Sequence, residues 1–380
     1  MVLAQHRKRT QHCGRDTGTS EADAKPRRIG QSSPPYQSTV RLTRRRLLAS
    51  LALLGPAAAH ANIAAPIRIA FLGIGHSHFK DKLRIIQQSR DFTLVGLCED
   101  NPEIRKHGPS GARWISRQEL LRDADAVVVE GDVRDLASDA WFALRGGKHV
   151  HIEKPPAATQ HQFDRLLKES KSQDRVLQVG YMWRYHPGFN RAIEAASKGW
   201  LGEVFLVRAT MNTHISDGQR AAWGRFRGGA MFEQGSHLVD VVVRLLGRPG
   251  KVTPFLQRRR SDPLADNTLA VLEYQRALAI LTSAPLQPNA GSHRFLEICG
   301  TKGTLRIQPI EPPSMEIDLS AAAGPYSKGR QTIELPTYQR HLDEFVAFAR
   351  AIRKEEELRP GLDLERTVHE TLMRCCGERR

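Results

Sequence analysis

Several groups of residues in this chain have the types and spacing to do chemistry. Lys154 sits between Glu153 and Pro155 at the end of a β-rich run. An ammonium there can hold and polarise an oxygen, while Glu153 is read as shaping the turn that Pro155 fixes. Glu233 and His237 are four apart at the start of an expected helix, Phe232 to Leu246, so they should share a face. The carboxylate would then select the imidazole tautomer and raise its basicity. Asp240, one turn on, is read as a cap or a partner of Arg244 and is left out of the chemistry. Arg184, Tyr181 and His186 lie on the segment Tyr181–Pro187, where a substrate hydroxyl or carboxylate could be met. Interdomain packing is the competing reading for Tyr181 and His186, and core filling for Trp183.

A second set suits phosphate and ribose. Gly73-Ile74-Gly75-His76-Ser77-His78 stands between the run Ile67–Leu72 and a helical stretch from Lys80 to Ser89. A second run, Phe92–Cys98, ends in Glu99-Asp100. Strand, glycine turn, helix, strand and acid is the dinucleotide-binding order. Gly73 permits the sharp turn, and Gly75, without a Cβ, lets the backbone approach a pyrophosphate at the helix N-terminus. Glu99, or Asp100 one residue later, would bond a ribose diol and repel a 2′-phosphate, which favours NAD over NADP; a basic residue such as Arg105 could reverse that choice. His78 stands where the third glycine of such a turn is usual. His76/His78 and His149/His151 are also His-x-His pairs, but neither has an acid or Cys completing it locally, so no metal is expected.

The elements that must position these residues follow from the pattern. Ala126–Val129 is an uninterrupted apolar run suited to a strand buried on both faces. Asp135–Arg145 and Phe163–Ser170 read as helices, and Lys148–Ile152 and Val176–Gly180 as further strands. This alternation predicts an α/β, doubly wound Rossmann domain over residues 62–180. Residues 181–380 read as an α+β substrate and oligomerisation domain. It has a helix at Asn190–Lys198 and a large, mostly antiparallel sheet from Phe205–Thr210, Leu269–Tyr274, Leu278–Thr282, Phe295–Cys299 and Thr304–Ile307. Leu238, Val241, Val242 and Leu245 form one apolar helix face, and Leu342–Glu355 a last amphipathic helix with Phe345, Phe348 and Ile352 together.

Gly-Lys-His-Val-x-x-Glu-Lys-Pro at residues 147–155, after a dinucleotide fold, resembles the Gfo/Idh/MocA family, which includes glucose–fructose oxidoreductase and inositol 2-dehydrogenase. Tyr181–Pro187, Leu201–Val204, Gly228–His237 and Ile298–Leu305 carry the likeness on toward the C-terminus. The resemblance implies a nicotinamide-dependent oxidoreductase acting on a sugar, cyclitol or related polyol. Lys154 would stabilise the developing alkoxide, His237 would take the hydroxyl proton, and Glu233 would orient it; the commoner residue at that place is Asp. The loop residues Gly73, Gly75, His76, Ser77 and His78, with Glu99, Asp100, Glu153 and Lys154, would hold the cofactor. It also implies a cis peptide before Pro155, and a homo-oligomer is expected. Two other readings stay open: an exported NAD-dependent glycosidase on the same fold, and a non-catalytic dinucleotide-binding protein.

Charge argues against nucleic acid. The net charge is +16 over 380 residues, but +8 of it lies in residues 1–46, leaving a modest excess on the rest. Thr43-Arg44-Arg45-Arg46-Leu47-Leu48, a short apolar run and Ala59-His60-Ala61 read as a twin-arginine export signal within a leader of residues 1–61. The run, broken by Gly55 and Pro56, is too short to span a bilayer. The expectation is an exported protein, periplasmic or secreted, with no other membrane contact. Five cysteines are too few for a disulfide framework.

Overall fold

The computed structural model describes residues 65–378, so the expected export signal lies outside the described part. Five strands, β1 (Ile67–Leu72), β2 (Phe92–Cys98), β3 (Ala126–Val129), β4 (His149–Ile152) and β5 (Leu177–Val179), form a parallel sheet in the order β2-β1-β3-β4-β5. All four residues of β3 are fully buried, as an apolar run covered on both faces requires. Helices Phe79–Gln88, Leu136–Arg145 and Gln160–Ser172 make the crossovers. The order reverses between β1 and β3, which opens a crevice at their carboxyl ends. The loops leaving these two strands touch there. Gly73 has φ +80°, and a Cβ on it would lie 2.4 Å from the Cα of Gly131. Only glycine fits that crossing.

Eight further strands form the second sheet: β6 (Val204–Thr210), β7 (Lys251–Gln257), β8 (Asn267–Glu273), β9 (Leu278–Ser283), β10 (Phe295–Gly300), β11 (Gly303–Ile307), β12 (Met315–Leu319) and β13 (Gly329–Thr332). Their order is β13-β12-β11-β10-β6-β9-β8-β7, antiparallel except for the parallel pair β6 and β9. Val207 and Ala209 face the core, while Leu206 and Arg208 face out. Helix Gly235–Leu246 covers the inner face. Leu238, Val241 and Val242 are buried as the periodicity predicts, and Val239, Asp240 and Val243 are buried too, because helix Leu362–Cys375 packs on the same helix. The sequence reading did not anticipate β7, β12, β13 or this last helix. β7 carries Pro254 and is an edge strand, the place where a strand tolerates proline.

One expected element divides. The helix read from Phe232 to Leu246 is two, Ala230–Glu233 and Gly235–Leu246, with Gln234 between them. A Cβ at position 235 would lie 2.4 Å from the Met231 sulfur, so the chain folds tightly over itself at this glycine. Helix Leu342–Ile352 turns back to the first sheet, where Phe345 and Phe348 join Ile69, Phe71 and Ile85 in one buried cluster. The Lys154–Pro155 peptide is cis. Cys98, Cys299, Cys375 and Cys376 are free. Among the described residues no helix is long and apolar enough to cross a membrane.

Candidate active site

The crevice at the ends of β1 and β3 continues into a second cavity, the two sharing Gly131 and Asp132. Gly73, Glu99 and Asp100 line the outer part, of about 450 Å³. Gly75, His76, Ser77, His78, Lys154 and His237 line the inner part, of about 360 Å³. Glu99 is fastened to the glycine turn: its carboxylate accepts the Ile74 amide at 3.0 Å and the Asn101 amide at 2.9 Å. Asp100 faces away from that contact and accepts from Arg117 at 2.7 Å. Arg105, the basic residue that could favour NADP, lies over the Trp114 ring at 4.6 Å. At Gly75 the nearest atom to an added Cβ is 3.5 Å away, on Ile104. A turn open at Gly75, with a carboxylate anchored at its far side, fits a dinucleotide.

Lys154 and Glu233 meet in the inner cavity. The Lys154 ammonium donates to Glu233 Oε1 at 3.0 Å and to the Glu233 carbonyl oxygen at 3.2 Å. Burial pushes the Glu233 carboxyl up, but Lys154 and His76 outweigh it and hold its pKa at about 2. Glu233 therefore does not orient His237, as the spacing had suggested. The helix break at Gln234 removes the shared face, and the carboxylate turns to Lys154 instead. His237 packs against Trp183 with ring centres 5.0 Å apart and planes tilted by 40°, and its Nδ1 is buried without a hydrogen-bond partner. Burial lowers its pKa well below the ordinary histidine value, with Lys154 and His78 adding to the effect. It is a neutral imidazole, not one of raised basicity.

The His76/His78 pair also departs from expectation. Glu153, from the end of β4, comes within 3.2 Å of His78 Nδ1 and 3.8 Å of His76 Nδ1, so an acid does complete the set in space. Glu130, directly after β3, lies 3.6 Å from His76 Nδ1. Both acids are fully buried and both accept from the equally buried Lys82. Lys82 also meets His151 Nε2 at 3.0 Å. Glu153 shapes its turn through these bonds, and its carboxyl lies well below the ordinary range because Lys82, His76 and His78 overcome its burial. Neither Glu130 nor Lys82 was singled out in the sequence. Both left a signal: Glu130 ends an apolar run, and Lys82 falls in the apolar stripe of Phe79, Leu83 and Ile86.

Arg184, Tyr181 and His186 do not line the cavity. Arg184 is buried between Asp240, at 2.7 Å, and Glu365, and its guanidinium lies over the Tyr181 ring. His186 caps helix Pro187–Ser197 through Nδ1 and meets the Ile310 carbonyl through Nε2 at 2.9 Å. These are packing and capping roles. Met182, Arg294 and Arg340 face the cavity instead.

Two family models match the chain. One, the NAD-binding Rossmann fold of an oxidoreductase family, covers residues 67–181. The other, the GFO/IDH/MocA C-terminal domain, covers residues 189–306. D-glucoside 3-dehydrogenase of Escherichia coli is 26% identical over 202 residues, 48% of this chain and 55% of that protein. scyllo-Inositol 2-dehydrogenase (NADP(+)) of Bacillus subtilis is 27% identical over 237 residues, 59% of this chain and 64% of that one. The chain thus spans between half and two thirds of these relatives. The fold is shared with aldose-aldose oxidoreductase from Caulobacter crescentus, with a TM-score of 0.70 and 23% identity over 83% of this chain and 98% of that one.

Proposed function

Since this chain belongs to the Gfo/Idh/MocA family of oxidoreductases, with an NAD-binding Rossmann domain, we propose that it interconverts a secondary alcohol and a ketone on a sugar, cyclitol or related polyol. The observation that carries this reading is the opening of the glycine-turn crevice onto a cavity holding Lys154 and a neutral His237. A nicotinamide dinucleotide, when bound, would supply the hydride acceptor and donor for the substrate carbon. The turn at Gly75–Ser77 would seat its pyrophosphate and Glu99 a ribose diol, with NAD preferred.

Lys154, steadied by Glu233, presents its ammonium to the reacting oxygen and stabilises charge as it develops there. His237, neutral and buried, accepts the hydroxyl proton during oxidation. Arg294, whose Nε is fixed on the Asn212 carbonyl at 2.8 Å, offers its remaining donors to other hydroxyls. Met182, Trp223 and Phe226 form apolar wall and limit water. The test is a panel of sugars, cyclitols and glycosides with each dinucleotide. Reduced cofactor should accumulate without glycoside cleavage. Cleavage without net reduction would move the assignment to a glycosidase, and dinucleotide binding without either would leave a binding protein.

Two other parts of the reading concern the whole protein. Leu206, Leu269, Val271 and Ile280, with the half-exposed Phe255 and Leu278, make an apolar outer face on the second sheet. A face of that kind suits a second copy of the chain, and the molar mass measured by light scattering should exceed that of a monomer. Arg44-Arg45 support export by the twin-arginine route to the periplasm or beyond. Replacing both with lysine should leave precursor in the cytoplasm.

A further inference from the structure

His76 is more than a loop residue beside the cofactor. Its side chain is 8% exposed, lines the inner cavity, and is faced by three carboxylates and, edge-to-face, by the His78 ring at 4.8 Å. Glu130 from the end of β3 and Glu153 from the end of β4 flank Nδ1 at 3.6 and 3.8 Å. Glu233, from the short helix across the cavity, is 3.9 Å from Nε2. That Glu233 oxygen is the one Lys154 holds at 3.0 Å, so His76 Nε2 and the Lys154 ammonium converge on one point. Glu130 Oε2, the oxygen 3.6 Å from Nδ1, is buried without a hydrogen-bond partner, whereas the Glu153 oxygen facing His76 already accepts from Lys82.

We infer that His76 is a second catalytic imidazole of this site: held charged beside Glu130 and Glu153, it donates an Nε2–H hydrogen bond to the substrate oxygen that Lys154 holds and stabilises the charge that develops there in either direction. The inference rests on the oxidoreductase reading above. The proton that moves is the one exchanged between the substrate oxygen and His237, over the same path in both directions, and the Nε2–H bond of His76 stays intact. His76 and His237 then divide the work, the first holding a proton and the second lacking one. Burial opposes a charged His76, but Glu153, Glu130 and Glu233 overcome it and set its pKa at about 9. Opposite environments thus leave one imidazole a charged donor and the other a neutral acceptor at the same oxygen. His78, on the same loop, is lowered by burial; Lys82 stands behind Glu130 and Glu153, and Lys154 behind Glu233.

The same atoms resemble a metal site, since donor atoms of His76, His78 and Glu153 lie within 4.8 Å of one another. Lys82 argues against that use. Its ammonium already rests on Glu130 and on the Glu153 oxygen nearest the two histidines. A divalent ion there would meet a fixed positive charge in a buried setting, where repulsion is poorly screened. A neutral His76 has one feature in its favour, the His78 amide 3.3 Å from Nδ1.

Histidine-ring NMR of the dinucleotide-loaded protein decides the charge, with His76→Gln to assign the signal. The expected imidazole carries protons on both nitrogens at pH 7 and titrates near 9. A ring that is neutral at pH 7, or a stoichiometric divalent metal whose chelation abolishes activity, overturns the proposal. In kinetics, His76→Gln should lower carbonyl reduction by about 10²–10³-fold, remove the fall in rate above pH 9, and change dinucleotide affinity only a few-fold. Glu130→Gln should move that fall toward neutral pH. Full reduction rate in His76→Gln overturns the role of His76 alone. Wild-type protein that binds dinucleotide, keeps the charged ring and reduces no carbonyl compound overturns the oxidoreductase reading instead.

Discussion

Lys154 and Glu233 are 79 positions apart in the chain and meet at 3.0 Å inside the cavity. The lysine follows β4 at the crevice of the parallel sheet, and the glutamate ends a four-residue helix beside the second sheet. Their bond fixes the ammonium from both a carboxylate and a carbonyl, so its direction is set before any substrate arrives.

Glu233→Gln keeps a hydrogen bond to Lys154 and loses the charge. A charge-assisted bond contributes about 1.5–3 kcal/mol, so turnover should fall roughly 10–100-fold with little change in dinucleotide affinity. Steady-state kinetics beside a dinucleotide titration would show it. Unchanged turnover would mean that Lys154 needs no positioning.

His237→Ala should lower alcohol oxidation by about 10²–10⁴-fold while dinucleotide still binds. Because the imidazole is already neutral near pH 7, the wild-type rate should show no acid limb from His237 between pH 6 and 8. A limb in that range that disappears in the variant would contradict the lowered pKa.

Glu99 should set cofactor choice. NAD should bind at least about tenfold tighter than NADP, a difference of 1.4 kcal/mol, and Glu99→Ala should narrow the gap. Fluorescence titration with both dinucleotides measures it. A wild-type preference for NADP would place the ribose away from this carboxylate.

Arg184→Ala should act on stability. It leaves Asp240 and Glu365 buried without their cation, and breaking such a pair typically costs about 3–5 kcal/mol. The urea midpoint should drop while KM in the folded fraction stays near wild type. A large rise in KM at unchanged stability would restore Arg184 to the substrate.

Stability should decline at both ends of the pH range. Glu233 and Glu344 have pKa values lowered to about 2 in the folded chain. They stabilise it above their unfolded values, near 4.5, and that contribution is lost as pH falls toward 2. His76 has the opposite sign: raised to about 9, it stabilises below about 6.5 and ceases to as pH passes 9. Denaturation midpoints across pH should show both slopes, with the alkaline one missing from His76→Gln.

The parallel sheet was legible because strands buried on both faces leave unbroken apolar runs, and Ile67–Leu72, Phe92–Cys98 and Ala126–Val129 begin and end where the pattern places them. The glycine turn and Lys154 were legible for a related reason, since strand ends locate them. Glu233 was misassigned because an i, i+4 spacing has meaning only within one helix, and Gln234 interrupts it. Arg184 was misassigned because its partner Glu365 comes from 181 positions away. No local pattern shows that an arginine is already paired. The cluster around His76 was only half visible: the histidines are adjacent in sequence, whereas Glu130, Glu153 and Lys82 are gathered by three different elements.

The return of helix Leu342–Ile352 to the first sheet bears on the order of assembly. Phe345 and Phe348 complete the cluster that Ile69, Phe71 and Ile85 begin, and Glu344 accepts from His341 at 2.9 Å and lies 3.2 Å from His151 on β4. During synthesis, the dinucleotide half emerges first with one flank still bare. It can close only after about 165 more residues have been made, counting from the end of the first sheet at Val179 to Phe345. A nascent chain stopped before residue 342 would therefore expose apolar surface in the domain furthest from the stop, and would invite chaperone binding there.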